Sequence, residues 1–313
     1  MIHSAITGTG SCLPERVVTN QELEETVDTT DQWIRERTGI LQRHIAGEKE
    51  TTALMGAKAA REALDAAELA PDDVDMIVLA TTTPDRIFPG TACHIQRELG
   101  TPVCPAFDVQ AVCSGFIYGL DIARRFIMTG GGDTVLVIGS EVLSRIVDWS
   151  DRSTCVLFGD GAGAVVLQAR DEPGILSTHL HADGRYDHLL QVSPEVNGAF
   201  IEMKGNEVFR MAVNTLGRIV DETLEANQMD RHEVDWLVPH QANHRIIAAT
   251  ARKLDLPMER VVVTVDQHGN TSAASVPLAL NQAVRDGRIQ PGDVLMLEAF
   301  GGGFTWGSAL IRY

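Results

Sequence analysis

The chain has 313 residues, of which 44% are hydrophobic, and it carries a formal net charge of −17 at pH 7. This length allows one large core or two fused cores, and the negative charge argues against nonspecific binding to nucleic acid or to an anionic membrane. No apolar run approaches the roughly 20 residues that span a bilayer, and the start, MIHSAITGTG, lacks the features of a signal peptide. We therefore expect a cytoplasmic protein with no membrane partner and no nucleic-acid partner.

Strand-like apolar runs alternate with helical patterns along the chain. We predict strands at 76–80, 135–139, 162–167, 236–239, 261–265 and 294–299. We predict helices within 51–69 and 209–227, where apolar residues recur at spacings of three and four. This alternation indicates an α/β architecture with largely buried sheets.

Two pairs of similar segments lie at the same separation. In PDDVDMIVLA and RHEVDWLVPH, Asp235 follows Asp75 by 160 positions, and in GGDTVLVIG and PGDVLMLEA, Asp293 follows Asp133 by 160 positions. An aspartate before an apolar strand is also a common turn ending, but the equal offset favours an internal duplication. We predict an N-terminal half at residues 1–170 and a C-terminal half at 171–313.

The five cysteines of the chain are odd in number and form no C-x-x-C pair; they are Cys12, Cys93, Cys104, Cys113 and Cys155. This pattern argues against a disulfide framework and against a cysteine zinc site, so each is predicted to be a free thiol. Cys113 lies in FDVQAVCSGFIYGL, where an apolar run ends and small residues begin. Because unpaired N–H groups at a helix start favour negative charge, we expect this thiol to be biased toward thiolate.

Two further polar residues follow predicted strands. His240 comes directly after strand 236–239, and Asn270 lies in DQHGNTSAASVPLAL, the counterpart of the Cys113 segment after a shift of 160. Taken singly, the cysteine can be packing, the histidine a helix start and the His-Gly-Asn sequence a turn. Together, at matching ends of duplicated units, they favour a nucleophile, a base and an amide donor.

Three other motifs are incomplete. In HQANH, His240 and His244 are one turn apart as in the zinc helix H-E-x-x-H, but Gln241 cannot act as the general base, so we expect no metal. GTGSCL lacks the third glycine of a dinucleotide loop, and FGDGAGAVVL and AFGGGFTWG lack the lysine and hydroxyl of a phosphate loop. The last of these segments can still lend N–H groups to an oxyanion.

Several long segments together resemble the bacterial β-ketoacyl-acyl carrier protein synthase III family: DQWIRERTGI, PAFDVQAVCSGF, FGDGAGA, VPHQANHRII, HGNTSAASVPLAL and EAFGGGFTWGSAL. The resemblance runs nearly end to end. It implies a thiolase-like fold, in which two duplicated halves form a layered α/β/α/β/α arrangement, usually as a homodimer. It also implies an acyltransferase that condenses acetyl-CoA, or another short acyl-CoA, with malonyl-acyl carrier protein to initiate fatty-acid synthesis, without a metal or redox cofactor.

The resemblance also assigns roles to residues. Cys113 would carry the acyl group, His240 and Asn270 would stabilise the enolate left by decarboxylation, and backbone N–H groups of Cys113 and Gly302 would hold an oxyanion. The CoA-binding residues would be Trp33, Arg37, Thr38, Arg152, Gly205, Phe209, Ala242 and Asn243. Leu143 and Phe88 would line the acyl pocket, Phe88 from across the dimer.

Docking of an acidic acyl carrier protein on this acidic chain requires a local basic cluster. Arg245 and Arg252 are seven positions apart and thus on one helical face, with Lys253 beside them and Arg210 next to Phe209. For any one of these residues alone, a solvated helix face is the ordinary explanation.

Other functions of related enzymes would require different residues at these positions. A thiolase needs a second cysteine in the C-terminal half, but the last one is Cys155, and a chain-elongating synthase is expected to have histidine at position 270. Val112, Ser114 and His244 depart from the family pattern, where we expect alanine, alanine and an aliphatic residue, which leaves the primer open. A priming ketosynthase of polyketide or other specialised metabolism remains an alternative, as does a noncatalytic acyl-CoA-binding protein.

Overall fold

The computed structural model describes residues 2–192 and 199–313. The strands are β1 (His3–Cys12), β2 (Arg16–Thr19), β3 (Gln42–Ile45), β4 (Met76–Ala80), β5 (Ala106–Val109), β6 (Thr134–Glu141), β7 (Gly161–Arg170), β8 (Ile175–Ala182), β9 (Leu190–Val192), β10 (Ile201–Met203), β11 (Trp236–Pro239), β12 (Val294–Gly301) and β13 (Thr305–Arg312). The helices are α1 (Asn20–Glu24), α2 (Asp31–Thr38), α3 (Thr52–Ala66), α4 (Thr91–Leu99), α5 (Gly115–Met128), α6 (Arg152–Cys155), α7 (Gly205–Asn227), α8 (His244–Lys253), α9 (Val265–His268) and α10 (Ser275–Arg285).

Two large sheets organise the molecule. The first has the strand order β1-β7-β6-β4-β5, and the second has the order β11-β12-β13-β8. Helices α5 and α10 lie between the sheets, α3 and α4 cover the outer face of the first sheet, and α7 and α8 cover the outer face of the second. The result is the five-layered α/β/α/β/α arrangement that the family resemblance implies.

The apolar core follows these layers. Between the sheets, Phe116 and Leu120 of α5 pack with Leu280 of α10 and with Val165 and Leu297 of the two sheets, all of them fully buried. Burial of each such large side chain stabilises the fold by roughly 1.5–3 kcal/mol. This burial therefore stabilises the middle layer, including the first turns of α5 and α10.

The two halves repeat each other with an offset of 160. The Asp75 N–H donates to the Thr134 carbonyl at 2.9 Å, and its carboxylate accepts from the Thr134 N–H at 2.9 Å. The Asp235 N–H donates to the Val294 carbonyl at 2.8 Å, and its carboxylate accepts from the Val294 N–H at 2.9 Å. The predicted duplication is thus confirmed by equivalent anchors at the starts of β6 and β12, while the boundary at 170 stays a prediction.

Each half also contains a tight elbow before its central helix. The 3-10 turns Val112–Ser114 and Ser272–Ala274 lead into α5 and α10, and they pack against each other. Val112 and Ser272 open these turns with φ angles of 48° and 49°, a left-handed conformation that is costly for residues other than glycine. Two strained elbows held by a dense core bring the ends of the two halves together.

One predicted strand is wrong. In segment 261–265 only Val261 pairs with a strand, in a single bridge to Leu237, and Val265 already begins α9. The side chain of Gln241 takes the backbone groups that a neighbouring strand would use. Its amide oxygen accepts from the N–H groups of Thr264 and Val265 at 2.8 and 3.1 Å, and its NH₂ group donates to the carbonyl oxygen of residue 262 at 3.0 Å.

Candidate active site

Cys113 lines a cavity of about 580 Å³ whose lining also includes His240 and Asn270. The cysteine belongs to the first elbow and is almost fully buried. Gly301, at the end of β12, packs on its backbone, because a Cβ at this glycine would lie 2.7 Å from the Cys113 nitrogen. A side chain at position 301 would therefore crowd both the nucleophile and its N–H group.

His240 directly follows β11 and is buried. Its backbone N–H donates to the Glu298 carbonyl at 2.8 Å, and its ring Nδ1 lies 2.6 Å from the Ser275 hydroxyl oxygen. Burial lowers the pKa of His240 to about 3, because the imidazolium would lose its hydration. The imidazole is therefore neutral near pH 7.

Asn270 is oriented by hydrogen bonds to its backbone N–H and to its backbone carbonyl. Its N–H donates to the Leu157 carbonyl at 2.8 Å, and its carbonyl accepts from the Gly159 N–H at 3.0 Å. Its side-chain oxygen accepts from the Ser272 N–H at 2.9 Å. Among the described residues its NH₂ group has no partner, so two amide donors are left at the cavity wall.

The expectation of a thiolate at Cys113 is not met. Burial raises the pKa of Cys113 to about 12, and the Cys113 N–H, which favours the anion, offsets it only in part. At this elbow desolvation outweighs the attraction of the helix start for negative charge. The resting pair is thus a neutral thiol and a neutral imidazole.

The residues assigned to CoA gather along the cavity and at its mouth. Seven of the eight line it, namely Trp33, Arg37, Thr38, Gly205, Phe209, Ala242 and Asn243. The eighth, Arg152, holds its guanidinium 5.2 Å from the centre of the Trp33 ring, and that of Arg37 lies 5.9 Å from the same centre. Two cations beside one indole form a surface suited to a stacked, negatively charged group.

Of the two residues assigned to the acyl pocket only one lines the cavity, and the glycine assigned to the oxyanion hole is not the one nearest to Cys113. Leu143 lines the cavity, whereas Phe88 is 81% exposed and lies outside it in the single chain. Gly302 lies beside Val112 at the first elbow, because a Cβ added there would be 3.6 Å from a Val112 methyl group. Gly301, rather than Gly302, makes the close approach to Cys113.

The four basic residues assigned to carrier docking are not equivalent. Arg245 stacks over Phe209 at the cavity mouth, 5.1 Å from the ring centre, and Arg210 and Arg252 are exposed. Lys253 forms an ion pair with Asp221 at 2.6 Å, so part of its charge is already compensated.

The zinc interpretation of HQANH does not match the geometry. His240 is buried against Ser275, whereas His244 is exposed and packs beside Gly39. In the described ranges, no group of three or more His, Cys, Asp or Glu side chains is arranged to hold a metal ion. None of the helices in those ranges is both long enough and apolar enough to cross a membrane.

Sequence reasoning missed three residues at this site: Gln241, Ser275 and Gly301. Gln241 and Ser275 lie inside recognised segments, but their roles are hydrogen bonds to distant residues, which no local pattern reveals. Gly301 had a weak signal in the run of three glycines, since consecutive glycines often mark a close backbone approach.

Comparisons with known proteins extend over the whole chain. Residues 107–184 match the family model 3-oxoacyl-[acyl-carrier-protein (ACP)] synthase III, and residues 224–313 match the model of its C-terminal part. The chain is 65% identical over 322 residues to the β-ketoacyl-[acyl-carrier-protein] synthase III of Thioalkalivibrio sulfidiphilus, with 100% of both chains covered.

Two solved structures bear on the fold and on the alternatives. The 3-oxoacyl-[acyl-carrier-protein] synthase III of Aquifex aeolicus has a TM-score of 0.96 and 50% identity, over 99% of this chain and 100% of that one. The priming β-ketosynthase of the R1128 polyketide pathway has a TM-score of 0.94 and 36% identity, over 99% and 96%. The layered fold predicted from the sequence is thereby confirmed.

Proposed function

Because the chain belongs to the 3-oxoacyl-[acyl-carrier-protein] synthase III family, we propose that it condenses a short acyl-CoA with malonyl-acyl carrier protein, with loss of carbon dioxide. This reaction initiates fatty-acid synthesis, and acetyl-CoA is the default primer. The observation that carries the proposal is the convergence of Cys113, His240 and Asn270 on one cavity, which is also lined by an indole with two guanidinium groups beside it.

The first half-reaction transfers the acyl group to the enzyme. The sulfur of Cys113 bonds to the thioester carbon, the bond from that carbon to the CoA sulfur breaks, and the thiol proton ends on CoA. The CoA thiolate released in this step is the acceptor for that proton. Backbone N–H groups of Cys113 and Gly302 hold the negative oxygen of the tetrahedral intermediate.

The second half-reaction forms the carbon–carbon bond. The malonyl thioester oxygen accepts from His240 Nε2 and from the Asn270 amide, so the electrons of the breaking bond to carbon dioxide collect on a stabilised enolate. The enolate carbon attacks the acyl carbon on Cys113, the bond from that carbon to sulfur breaks, and the thiolate takes up a proton. The two thioesters and the Cys113 thiol supply every electron pair, and solvent supplies the proton that restores the thiol, so we propose no metal or redox cofactor.

We propose that acyl carrier protein docks on the basic face of α8. Arg245, stacked on Phe209, and exposed Arg252 lie on one face of this helix, with Arg210 on the neighbouring α7. Lys253 belongs to the same surface, where it forms an ion pair with Asp221. On a chain with a net charge of −17, such a local cluster can attract an acidic partner that the rest of the surface repels.

We propose that a second copy of the chain covers the β5 edge. In the described sheet β5 pairs only with β4, which leaves one side of the strand free. Ile87, Phe88 and Val103 near this edge are almost fully exposed, and Phe107 is half-exposed. An open strand edge flanked by apolar side chains is a self-association surface. A partner's copy of residue 88 would then reach the acyl pocket.

A cytoplasmic location is part of the proposal. The nucleophile must be a free thiol, and all five cysteines are unpaired. A reducing compartment maintains that state.

The alternatives predict different labelling. A polyketide-priming enzyme, the class of the 36% identical relative, would take up a different acyl group fastest. A noncatalytic binder would gain no covalent mass. The 65% identity to a fatty-acid relative favours the proposed reaction over both.

The test is the intact mass of the protein after brief exposure to a series of acyl-CoA thioesters. We expect one acyl group per chain, fastest with a short straight primer, and none in Cys113→Ser, because an unactivated hydroxyl is a poor nucleophile. Cys93→Ser, which removes an exposed thiol, should label normally. Labelling of Cys113→Ser at the wild-type rate would refute the assignment.

Separate measurement of the two half-reactions tests the roles of His240 and Asn270. His240→Ala and Asn270→Ala should each slow malonyl decarboxylation by about 10²–10³, the usual loss for one oxyanion donor, while acylation of Cys113 falls less. His232→Ala, at an exposed histidine, is the matched control. Variants that block acylation but decarboxylate normally would reverse the roles.

A further inference from the structure

We propose that Ser275 holds neutral His240 in the tautomer that presents an Nε2–H donor to the cavity. Ser275 would thus be a positioning residue for the enolate-stabilising pair. The inference rests on the proposed role of His240 and adds the group that determines which ring nitrogen carries the proton.

A tautomer choice exists because the imidazole is neutral. Burial lowers the pKa of His240 to about 3, so near pH 7 the ring has one proton and two nitrogens that can carry it. Nδ1 lies 2.6 Å from the Ser275 hydroxyl oxygen, and both residues are buried. This one contact therefore decides the state of the ring.

The direction of the bond follows from a third group. The Gln241 N–H, which can only donate, points at the same hydroxyl oxygen at 3.3 Å. The hydroxyl has a single proton of its own, and among the described residues the only acceptor for it within hydrogen-bond distance is His240 Nδ1. Ser275 therefore donates to Nδ1, and the ring proton is on Nε2.

The opposite tautomer leaves a buried group unsatisfied. With the proton on Nδ1, the hydroxyl oxygen would receive two donors and its own buried proton would have no acceptor. It would also turn the Nε2 lone pair toward the enolate oxygen. An anion beside a lone pair is repelled, whereas the proposed mechanism needs a donor there.

The duplication supplies an independent comparison. A shift of 160 relates His240 to Ala80 and Ser275 to Gly115, and this second pair is also in contact, since a Cβ added at Gly115 would lie 3.0 Å from the Ala80 Cβ. The same two positions thus meet in both halves. Only the half with the imidazole carries a hydroxyl opposite it.

The first test measures the tautomer itself. In protein labelled with ¹⁵N-histidine, the His240 resonances, identified by their loss in His240→Gln, should show a protonated Nε2 and an unprotonated Nδ1. A protonated Nδ1 in the wild type would overturn the proposal without any variant. The measurement needs no substrate, so it stands even if His240 has no role in decarboxylation.

The second test links the tautomer to the reaction. In Ser275→Ala we expect loss of the pure Nε2–H signature and at least a tenfold slower malonyl decarboxylation, with less than a threefold change in Cys113 acylation. Ser275→Thr, which keeps the hydroxyl, should restore both. If Ser275→Ala does not fold, the tautomer measured in the wild type still decides the proposal.

The matched control is Ser308→Ala, which removes a buried serine of β13 that is hydrogen-bonded to Thr223 at 2.6 Å, away from the cavity. It should change neither the tautomer nor the ratio of the half-reactions. An unchanged tautomer and ratio in Ser275→Ala, or equal effects of the two alanine variants, would show a purely structural serine.

Discussion

At the scale of single residues, the side chains of Cys113 and His240 are both uncharged in the resting protein. Burial raises the pKa of Cys113 to about 12 and lowers the pKa of His240 to about 3. Each value reflects the same cost, the loss of water around a charge. Deprotonation of the thiol must therefore accompany attack on the substrate, when a proton acceptor and a developing oxyanion are both at hand.

The resting state of the thiol can be measured by alkylation. Because the thiolate fraction of Cys113 is small up to its pKa, its rate of reaction with iodoacetamide should keep rising about tenfold per pH unit from pH 7 to 10. A free thiol with a pKa of about 8.5 levels off within that range. Peptide mapping isolates the Cys113 rate, and a plateau below pH 8 would show that the helix start activates the thiol at rest.

At the scale of the elements, a side chain can form the backbone hydrogen bonds that a neighbouring strand would otherwise form. The side chain of Gln241 replaces a strand partner for segment 262–265 and connects the end of β11 with the approach to Asn270. A single amide therefore ties together the chain segments that carry the two proposed donors. Glutamate at this position would lose the two N–H donors and bury a charge.

Strand β12 contains a buried carboxyl group that should weaken the fold as pH rises. Neither oxygen of Glu298 has a partner at hydrogen-bond distance and angle in the described structure, and burial raises its pKa to about 8, although the nearby Thr250 hydroxyl acts in the opposite direction. The unfolded group ionises near 4.5, so the folded state binds the extra proton between these values. Stability from this group is present at low pH and is lost as pH rises from about 4.5 to 8.

Removal of the ionisable group should abolish that loss. Relative to the wild type, Glu298→Gln should gain about 3 kcal/mol of stability between pH 5 and pH 8, an order-of-magnitude figure from this shift. Thermal midpoints at both pH values and equal protein concentration provide the measurement. Glu259→Gln, at an exposed site, should leave the pH dependence unchanged, and an equally unchanged dependence in Glu298→Gln would contradict the assignment.

At the scale of the whole molecule, charge decides how the carrier approaches. Arg245→Glu with Arg252→Glu should raise the apparent KM for malonyl-acyl carrier protein, and the effect should shrink as salt screens the contact. Acylation by free acyl-CoA should change less, because it needs no protein docking. Arg170→Glu, at the exposed end of β7, is the control, and equal losses with both substrates would indicate a damaged cavity instead.

The proposed association of two chains is also a property of the whole surface. Phe107→Glu places a charge on the open β5 edge and should shift the protein toward monomers in sedimentation velocity, because an unpaired charge in an apolar interface is costly. Ile2→Glu, at another exposed apolar position, should leave the assembly unchanged. A wild-type chain that sediments as a monomer at micromolar concentration would exclude this interface.

The sequence alone determined the alternation of strands and helices, the offset of 160 and the motif segments around Cys113, His240 and Asn270. These features are local, because apolar periodicity and turn residues are properties of short stretches, and a duplication repeats them in register. The motif segments carry the family resemblance, which implied the thiolase-like layers, and the comparisons confirm both the family and the fold. The catalytic roles of the three residues remain predictions.

Only the tertiary structure decided the electrostatic state of the site and the bonds that orient it. The Cys113 thiolate was predicted from the helix start, but burial, which depends on how both halves pack around the cysteine, has the larger effect on its pKa. The strand at 261–265 was predicted from its valines, but Gln241 had already taken its hydrogen bonds. Desolvation and long-range hydrogen bonds arise between segments far apart in the chain, so no local pattern records them.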